Sequence, residues 1–456
     1  MVETSRVIAV LLICGSAAVG AQRASDANPP ATAPATAPTV ELGFEERIRS
    51  EDWGNIIDHN NSAADYRTQY RFRSRLWASL RFHGRLEVVA GLNNENRVIS
   101  KPDMPYNGRE IIFETLYLDA PLGPGWSLRF GRQNIMRGEG FIIFDGNALD
   151  GSRTAYFNAL DVTTSFGRSK LELLAISDPS KDQYLPRLNE AKHPAELQRL
   201  TEWDERALGA YLTFNELPHT ALEAYLFHKT ETDDYRPASH PQYQPDRRVD
   251  AAGGRAVRDL GRGFTLTGEA AFEVGRQQPR PSSGGPSRDI RAWGGYVRLK
   301  KDLGARTKPT VSLAYIGMSG DDPATAKIEG WDPLFSRWPK WSELYIYAYA
   351  PETGVAYWTN TGMWEAELRI SPWKPVGLRA TYYRMSAYES WVGKGSVFGS
   401  GKTRGDLFQV RADFAVGGSW KGHILYEHLA PGSFYSGKDS GHFLRFEVIY
   451  TLKKVI

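Results

Sequence analysis

Residues Tyr66–Leu92 read YRTQYRFRSRLWASLRFHGRLEVVAGL. The even positions run Tyr66, Thr68, Tyr70, Phe72, Ser74, Leu76, Ala78, Leu80, Phe82, Gly84, Leu86, Val88, Ala90 and Leu92, and each is apolar, small or ring-bearing apart from two hydroxyls. The odd positions carry Arg67, Arg71, Arg73, Arg75, Arg81 and Arg85, with Gln69, His83 and Glu87. A period of two marks β-structure with two unlike faces. The stretch is too long for one membrane crossing, which predicts a turn near Ala78–Phe82. Parity continues across it, so the turn must hold an odd number of residues, and the arginines of both strands then share one wall.

The same alternation recurs to the C-terminus. Phe264, Leu266, Ala270, Phe272 and Val274 oppose Thr265, Thr267, Glu269 and Glu273. Trp364, Ala366, Leu368 and Ile370 oppose Glu365, Glu367 and Arg369, and Phe408, Val410, Ala412 and Phe414 oppose Gln409, Arg411 and Asp413. Leu444, Phe446, Val448, Tyr450 and Leu452 oppose Arg445, Glu447 and Thr451. Weaker examples fall near 41–49, 110–119, 126–133, 170–177, 207–214, 221–229, 290–299, 310–318, 376–385 and 420–429. Short connections such as Gly123-Pro124-Gly125 and Phe166-Gly167-Arg168 alternate with long polar ones at 93–109, 134–153, 178–204, 230–250, 276–289, 319–342, 386–403 and 430–440. Segments of about 9 to 13 residues, with turns on one side and loops on the other, predict an outer-membrane barrel.

Composition agrees. The 456 residues carry 56 basic and 53 acidic side chains, a net charge of +3, so bulk charge does not make the chain a polyanion binder and selectivity must come from placement. Glycine (44), tryptophan (13) and tyrosine (22) are plentiful, as turns and amphipathic rings require. Arg6 and the run VIAVLLICGSAAVGA predict a signal peptide over 1–21. The Ala/Pro-rich stretch 22–39 reads as a flexible linker, and 40–456 as one domain. The single cysteine, Cys14, falls in the signal, and Ile13 before it argues against a lipid anchor. The mature chain then has no disulfide, zinc-thiolate or cysteine nucleophile.

A secreted sandwich or propeller also alternates, with its apolar face inward. Against it stand the signal, the missing cysteines, the long strands and the rings Trp126, Trp364, Tyr382, Trp420 and Tyr450 near strand ends, where headgroups favour them. The expectation is an all-β chain, a single transmembrane antiparallel barrel of about 18 strands with short periplasmic turns and long extracellular loops.

The stretch LRFGRQNIMRGEGFIIFDGNALDGSRTAYFNALDV (Leu128–Val162) resembles the bacterial outer-membrane alginate export family. Gly131, Arg132 and Gln133 match the family's strand end, and Arg137-Gly138-Glu139-Gly140 stands where that family has Tyr-Gly-Asp-Gly. WDPLFSRWPKW (Trp331–Trp341) and the closing EHLAPGSFY and GHFLRFEVIYTL are similar to it as well. One departure is the ending TLKKVI after Tyr450, where such barrels finish on an aromatic residue. The resemblance implies a monomeric channel of the outer membrane that passively conducts an anionic polysaccharide or its fragments. A general or specific porin for small anions is the alternative reading.

An anion pore is expected from its inward basic residues, here Arg67, Arg71, Arg73, Arg75, Arg81, Arg85, Arg129, Arg132, Arg369, Arg379, Arg411 and Arg445. Guanidinium pairs well with a uronate carboxylate. The acids Glu87, Glu269, Glu273, Glu365, Glu367, Asp413 and Glu447 are expected to orient the arginines and to keep a polymer from sticking. For each arginine the plain alternative is a structural ladder with a neighbouring acid. No cofactor or metal is expected, since no histidine pair has zinc spacing and no acid run has the calcium-loop pattern. GSVFGSGKT (395–403) has one residue too many for a phosphate-binding loop and follows no buried strand, so it reads as a surface loop. Ser79 and His83 lack a third partner for nucleophilic catalysis, and an outer-membrane enzyme is set aside.

Overall fold

In a computed structural model the alternating segments form eighteen antiparallel strands that close on themselves. The structure describes residues 37–456 except 63–64, 83–84, 105–106, 145–155, 181, 187, 189–203, 233–244, 280–283, 392–396 and the side chains of 107–110. The expected signal peptide, the linker up to residue 36 and His83 lie outside the described residues.

The first strands are β1 (Thr39–Gly54), β2 (Arg67–Phe82), β3 (Leu86–Lys101), β4 (Asn107–Gly123), β5 (Trp126–Gln133) and β6 (Phe157–Phe166). There follow β7 (Ser169–Asp178), β8 (Asp204–Phe214), β9 (Thr220–Thr232), β10 (Arg247–Gly261), β11 (Phe264–Gln277) and β12 (Arg288–Asp302). The last are β13 (Thr310–Met318), β14 (Thr361–Trp373), β15 (Val376–Ser386), β16 (Thr403–Val416), β17 (Trp420–Pro431) and β18 (Gly441–Val455), with a helical turn α1 (Tyr345–Ala348) between β13 and β14. Each strand pairs with its chain neighbours, and β1 pairs with β18 from Glu41↔Val455 to Gly54↔His442. Closure leaves no edge strand, so the wall pairs its backbone internally, as a hydrocarbon surrounding demands.

Side-chain direction follows parity. On β2, Tyr70, Phe72, Leu76 and Leu80 are exposed on the outer surface, while Gln69, Arg71, Arg73 and Ser79 are buried inside. Leu208, Leu226, Phe272, Leu313, Trp364, Phe408 and Phe446 continue the outer apolar band around the wall. On β14 the exposed Trp364 and Trp373 are nine residues apart. At ~3.3 Å per residue and ~40° of tilt that is roughly 23 Å of height, the span between the two headgroup levels. The rings of Trp420 and Tyr450 meet at a tilt, 4.7 Å apart, on neighbouring strands at the end where β1 begins and β18 finishes.

Three expectations need correction. β2 runs to Phe82 and β3 starts at Leu86, so the turn between them does not lie within Ala78–Phe82. It does hold an odd number of residues, and Arg81↔Glu87 and Leu80↔Val88 keep parity across it. The run from Trp77 to Phe82 still pairs as strand, and the chain reverses only after it. The long loop expected at 93–109 is mostly wall, since β3 runs to Lys101 and β4 starts at Asn107. With 16 residues, β3 stands roughly 40 Å tall against an apolar band of ~25 Å. Its upper part is polar on both faces, with Asn93 and Glu95 buried inside, which erases the apolar alternation at Asn93–Arg97 and hid it from a pattern reading. Strand β10 gave no pattern either, because Ala251-Ala252-Gly253-Gly254 offers no contrast between faces.

The ending TLKKVI is strand. Val40 and Ile456 exchange backbone hydrogen bonds at 3.1 and 2.8 Å, so the register of β18 runs unbroken to the last residue. Ile456 shares parity with Phe446 and Leu452 and is exposed like them.

Candidate functional site: the barrel lumen

The lumen was expected to be a water-filled space lined by the odd positions of β2 and their equivalents. Its extracellular half is instead packed with side chains from two loops, 134–144 and 319–360. Phe335 joins them: its N–H donates to Ile142 O (3.1 Å) and its carbonyl accepts from Phe144 N (3.3 Å). Phe141 stacks on Trp331 at 5.3 Å, Trp341 meets Trp358 edge-on at 4.8 Å, and Trp53 of β1 stacks on Tyr347 at 5.3 Å. Trp331, Tyr345, Tyr349 and Trp358 are fully buried.

Inward polar groups of the wall hold this insert in place. Arg445 of β18 grips Glu343 with two bonds (2.6 and 2.9 Å), and Glu427 of β17 accepts from the N–H groups of Glu343 and Leu344, both at 3.0 Å. Gln409 donates to Trp341 O (2.8 Å), Lys229 to Leu334 O (2.8 Å), and Arg404 to both oxygens of Glu352 (2.7 and 2.9 Å).

Three classes emerge among the expected basic residues. The first is buried and ion-paired. Arg71 lies 3.2 Å from both Glu51 and Glu95, Arg73 lies 2.7 Å from Glu45, and Arg445 lies 2.5 Å from Glu51. Arg132 is clamped by Asp182 (2.6 Å) and lies over the Tyr156 ring (3.8 Å) with no exposed side chain. Breaking a buried pair by removing one partner typically costs about 3–5 kcal/mol, so these four serve the wall and its loops as placed. The second class is partly open to the lumen: Arg75 with Glu114 (2.6 Å), Arg129 with Asp119 (2.7 Å), Arg369 with Glu367 (2.5 Å), Arg411 with Asp413 (2.7 Å), and Arg379. The third lies at the rims, with Arg67 over the Trp53 ring (5.5 Å), Arg81 beside Glu87 (2.9 Å) and Arg85 in the turn.

Arg369, Arg379 and Arg411 stand in register on β14, β15 and β16, close to the ends of those strands that carry the short turns. Arg379 in the middle makes no ion pair among the described residues. Each flanking arginine is bound to an acid two residues away on its own strand, which leaves room for a further acceptor on the row.

Among the expected acids, Glu87 accepts from Ser79 Oγ (2.5 Å), so this hydroxyl is committed to a carboxylate rather than to an imidazole. Glu269 accepts from the hydroxyls of Tyr225 and Tyr296, both at 3.0 Å, Glu273 from the N–H of Asp332 (3.0 Å), and Glu365 lies 3.3 Å from Arg298. Glu447 binds Arg49 (2.5 Å) and His423 (3.3 Å). Arg47, Arg49, Glu51 and Glu95 of this same network were not expected, although the parity of β1 carried the signal for the first three; Glu95 falls in the stretch of β3 without alternation. Nor were Glu139, Arg255, Arg298 and Lys340, which meet only when loop 134–144 folds inward. The segment 397–403 lies on the extracellular side between β15 and β16, where Lys402 Nζ bonds Glu389 (3.1 Å).

The model of the alginate export family matches residues 39–444. No curated protein matches the chain in sequence. Among solved structures, OccK5 (OpdH) of Pseudomonas aeruginosa is 11% identical with a TM-score of 0.54, over 91% of this chain and 98% of that one. OpdK of the same organism, solved with vanillate, is 14% identical with a TM-score of 0.54, over 91% of this chain and 99% of that one. OprD of the same organism is 11% identical with a TM-score of 0.53, over 91% and 95%. At such identities the likeness is one of fold.

Proposed function

The chain belongs to the alginate export family and forms an outer-membrane channel, and from that premise we propose that it passively conducts an anionic polysaccharide or its fragments. The observation that carries this reading is the in-register row Arg369, Arg379 and Arg411, partly open to the lumen and with a central member that has no ion pair among the described residues. A carboxylate of a uronate chain meets two neighbouring guanidinium groups there, Arg379 and one of its flanking arginines, and the flanking one has an acid to which it returns. Exchange between wall acid and solute keeps binding weak and repeated, as conduction requires. Arg75, Arg81, Arg129 and Glu87 extend the charged surface toward the same mouth, and Arg67 and Arg85 sit at the two rims. Lipid surrounds the apolar band, and a passive pore works in either direction.

A small-anion channel is the second reading, favoured by the aromatic insert that fills the extracellular half of the lumen. Planar-bilayer recording separates the cases. Under a salt gradient the reversal potential should have anion sign, and replacing Arg369, Arg379 and Arg411 together with glutamine should move it toward zero. Unchanged selectivity removes the row from the conduction path. Oligouronate added on the side of the short turns should block current in a length-dependent way for the polymer reading; block that ignores chain length supports the small-anion one.

A further inference from the structure

Inside the barrel the tip of loop 134–144 delivers a carboxylate to two arginines of the wall. Gly138 and Gly140 flank Glu139 with φ of +58° and +70°, a conformation that lets the chain reverse sharply and push Glu139 forward. The tip lies close against the wall, since a Cβ on Gly138 would come within 3.1 Å of Glu223 and 3.3 Å of Tyr211. One Glu139 oxygen lies 2.8 Å from Arg298 of β12, and the other 3.5 Å from Arg255 of β10. Lys340 of the second loop bonds the Glu139 carbonyl. The Glu139 side chain remains 22% exposed and that of Arg298 23% exposed, so the pair borders open lumen.

Each arginine is also held from behind. Arg255 binds Glu223 (3.0 Å) and the Tyr296 hydroxyl (3.2 Å), and Arg298 reaches Glu365 (3.3 Å). Ala314 lies between Arg298 and Glu365 in the sheet and leaves space for that reach. Withdrawing Glu139 therefore leaves two oriented guanidinium groups facing a vacancy of carboxylate size. Groups positioned in advance bind without first paying ordering entropy.

We infer that Arg255 and Arg298 form a carboxylate-binding station in the lumen, which the channel keeps occupied with its own Glu139, and that a uronate carboxylate takes the station by displacing it. The inference deepens the proposed function and rests on an anionic solute entering the lumen. A tethered competitor lowers the apparent affinity by the fraction of time the station is empty. It also frees the inserted loop tip when solute is present, which couples occupancy to the width of the constriction.

The test is block of single-channel current in planar bilayers by sodium glucuronate, with glucose as the neutral control. Glu139→Gln keeps the size of the side chain and removes its charge. If Glu139 fills the station about nine-tenths of the time, the glucuronate concentration for half-block should fall about tenfold, with glucose unaffected. Adding Arg255→Gln and Arg298→Gln to Glu139→Gln should abolish the gain. A Glu139→Gln channel that is merely noisier, with unchanged half-block, overturns the inference and leaves Glu139 as a structural latch. Heat-modifiable migration on gels checks folding. Should Glu139→Gln fail to assemble, Glu139→Asp withdraws the carboxylate by one methylene and should give a smaller shift of the same sign; no shift there overturns the inference equally. If the native reversal potential lacks anion sign, the proposed function fails, while the glucuronate titration still reports on the station by itself.

Discussion

At the scale of single residues, Lys340 shows how enclosure makes a charge conditional. It lies on the loop 319–360, outside the strands, and burial brings its ammonium down to about 8, against the pull of Glu139 and Glu269 and with the help of Arg298 and Arg255. Partial enclosure works against the charge of Glu139 too, yet Arg298, Lys340 and Arg255 hold its carboxyl down to about 2. It is therefore ionised across the working range while Lys340 titrates within it. Lys340 is protonated below about pH 8 and loses its charge above, so anion preference should weaken as pH rises from 7 to 9. Reversal potentials across that range measure the effect, and Lys340→Met should flatten the curve at its high-pH level. Stability carries the matching sign. The folded state disfavours the charged lysine, so its cost is full below the folded value and is relieved as pH climbs toward the value of a free lysine.

At the scale of elements, the wall depends on where side chains are missing. Gly43 of β1 faces Trp77 of β2 and Lys453 of β18 in register. A Cβ on Gly43 would stand 1.9 Å from the Trp77 ring, so the indole lies flat across the bare backbone and approaches Lys453, whose ammonium is 5.5 Å from the ring centre. Gly43→Val should expel the ring and reduce the yield of heat-modifiable, folded barrel. Trp77→Ala combined with Gly43→Val should restore part of it, because the collision disappears. Equal yields of native and Gly43→Val protein would show that the ring moves aside at no cost. Much at this scale was legible in the sequence. Parity alone placed Leu76 and Phe272 outside and Arg71 and Glu269 inside. It failed at Asn93–Arg97 and Gly253-Gly254, where both faces are polar or both are bare, and so carried no contrast to read.

At the scale of the molecule, the insert governs the passage. Trp331 and Asn360 both donate their N–H groups to Ser319 O, each at 3.0 Å, so the ends of 332–359 lie side by side. Replacing 332–359 with a short glycine–serine linker should leave every strand intact and remove Phe335, Trp341, Tyr345, Tyr349 and Trp358 from the lumen. Loop closure over so short a span costs little. Single-channel conductance should rise several-fold, and an unchanged unit step would mean that current bypasses the insert. The wall arginines that lose partners, Arg445 among them, then face water instead of protein, which spares them the penalty of a buried unpaired charge.

The sequence by itself determined the closed sheet, its two faces and the inward arginines, because a period of two is a local property that survives whatever the loops do. It also carried the family, through Gly131-Arg132-Gln133 and the texture of the whole domain. Only the tertiary structure decided which arginines remain open. Arg71 and Arg379 share residue type and inward parity, yet one is shut between Glu51 and Glu95 and the other makes no ion pair among the described residues. That difference arises from cross-strand register and from loops that return through the barrel, and both bring together residues that are far apart along the chain, where no local pattern reaches.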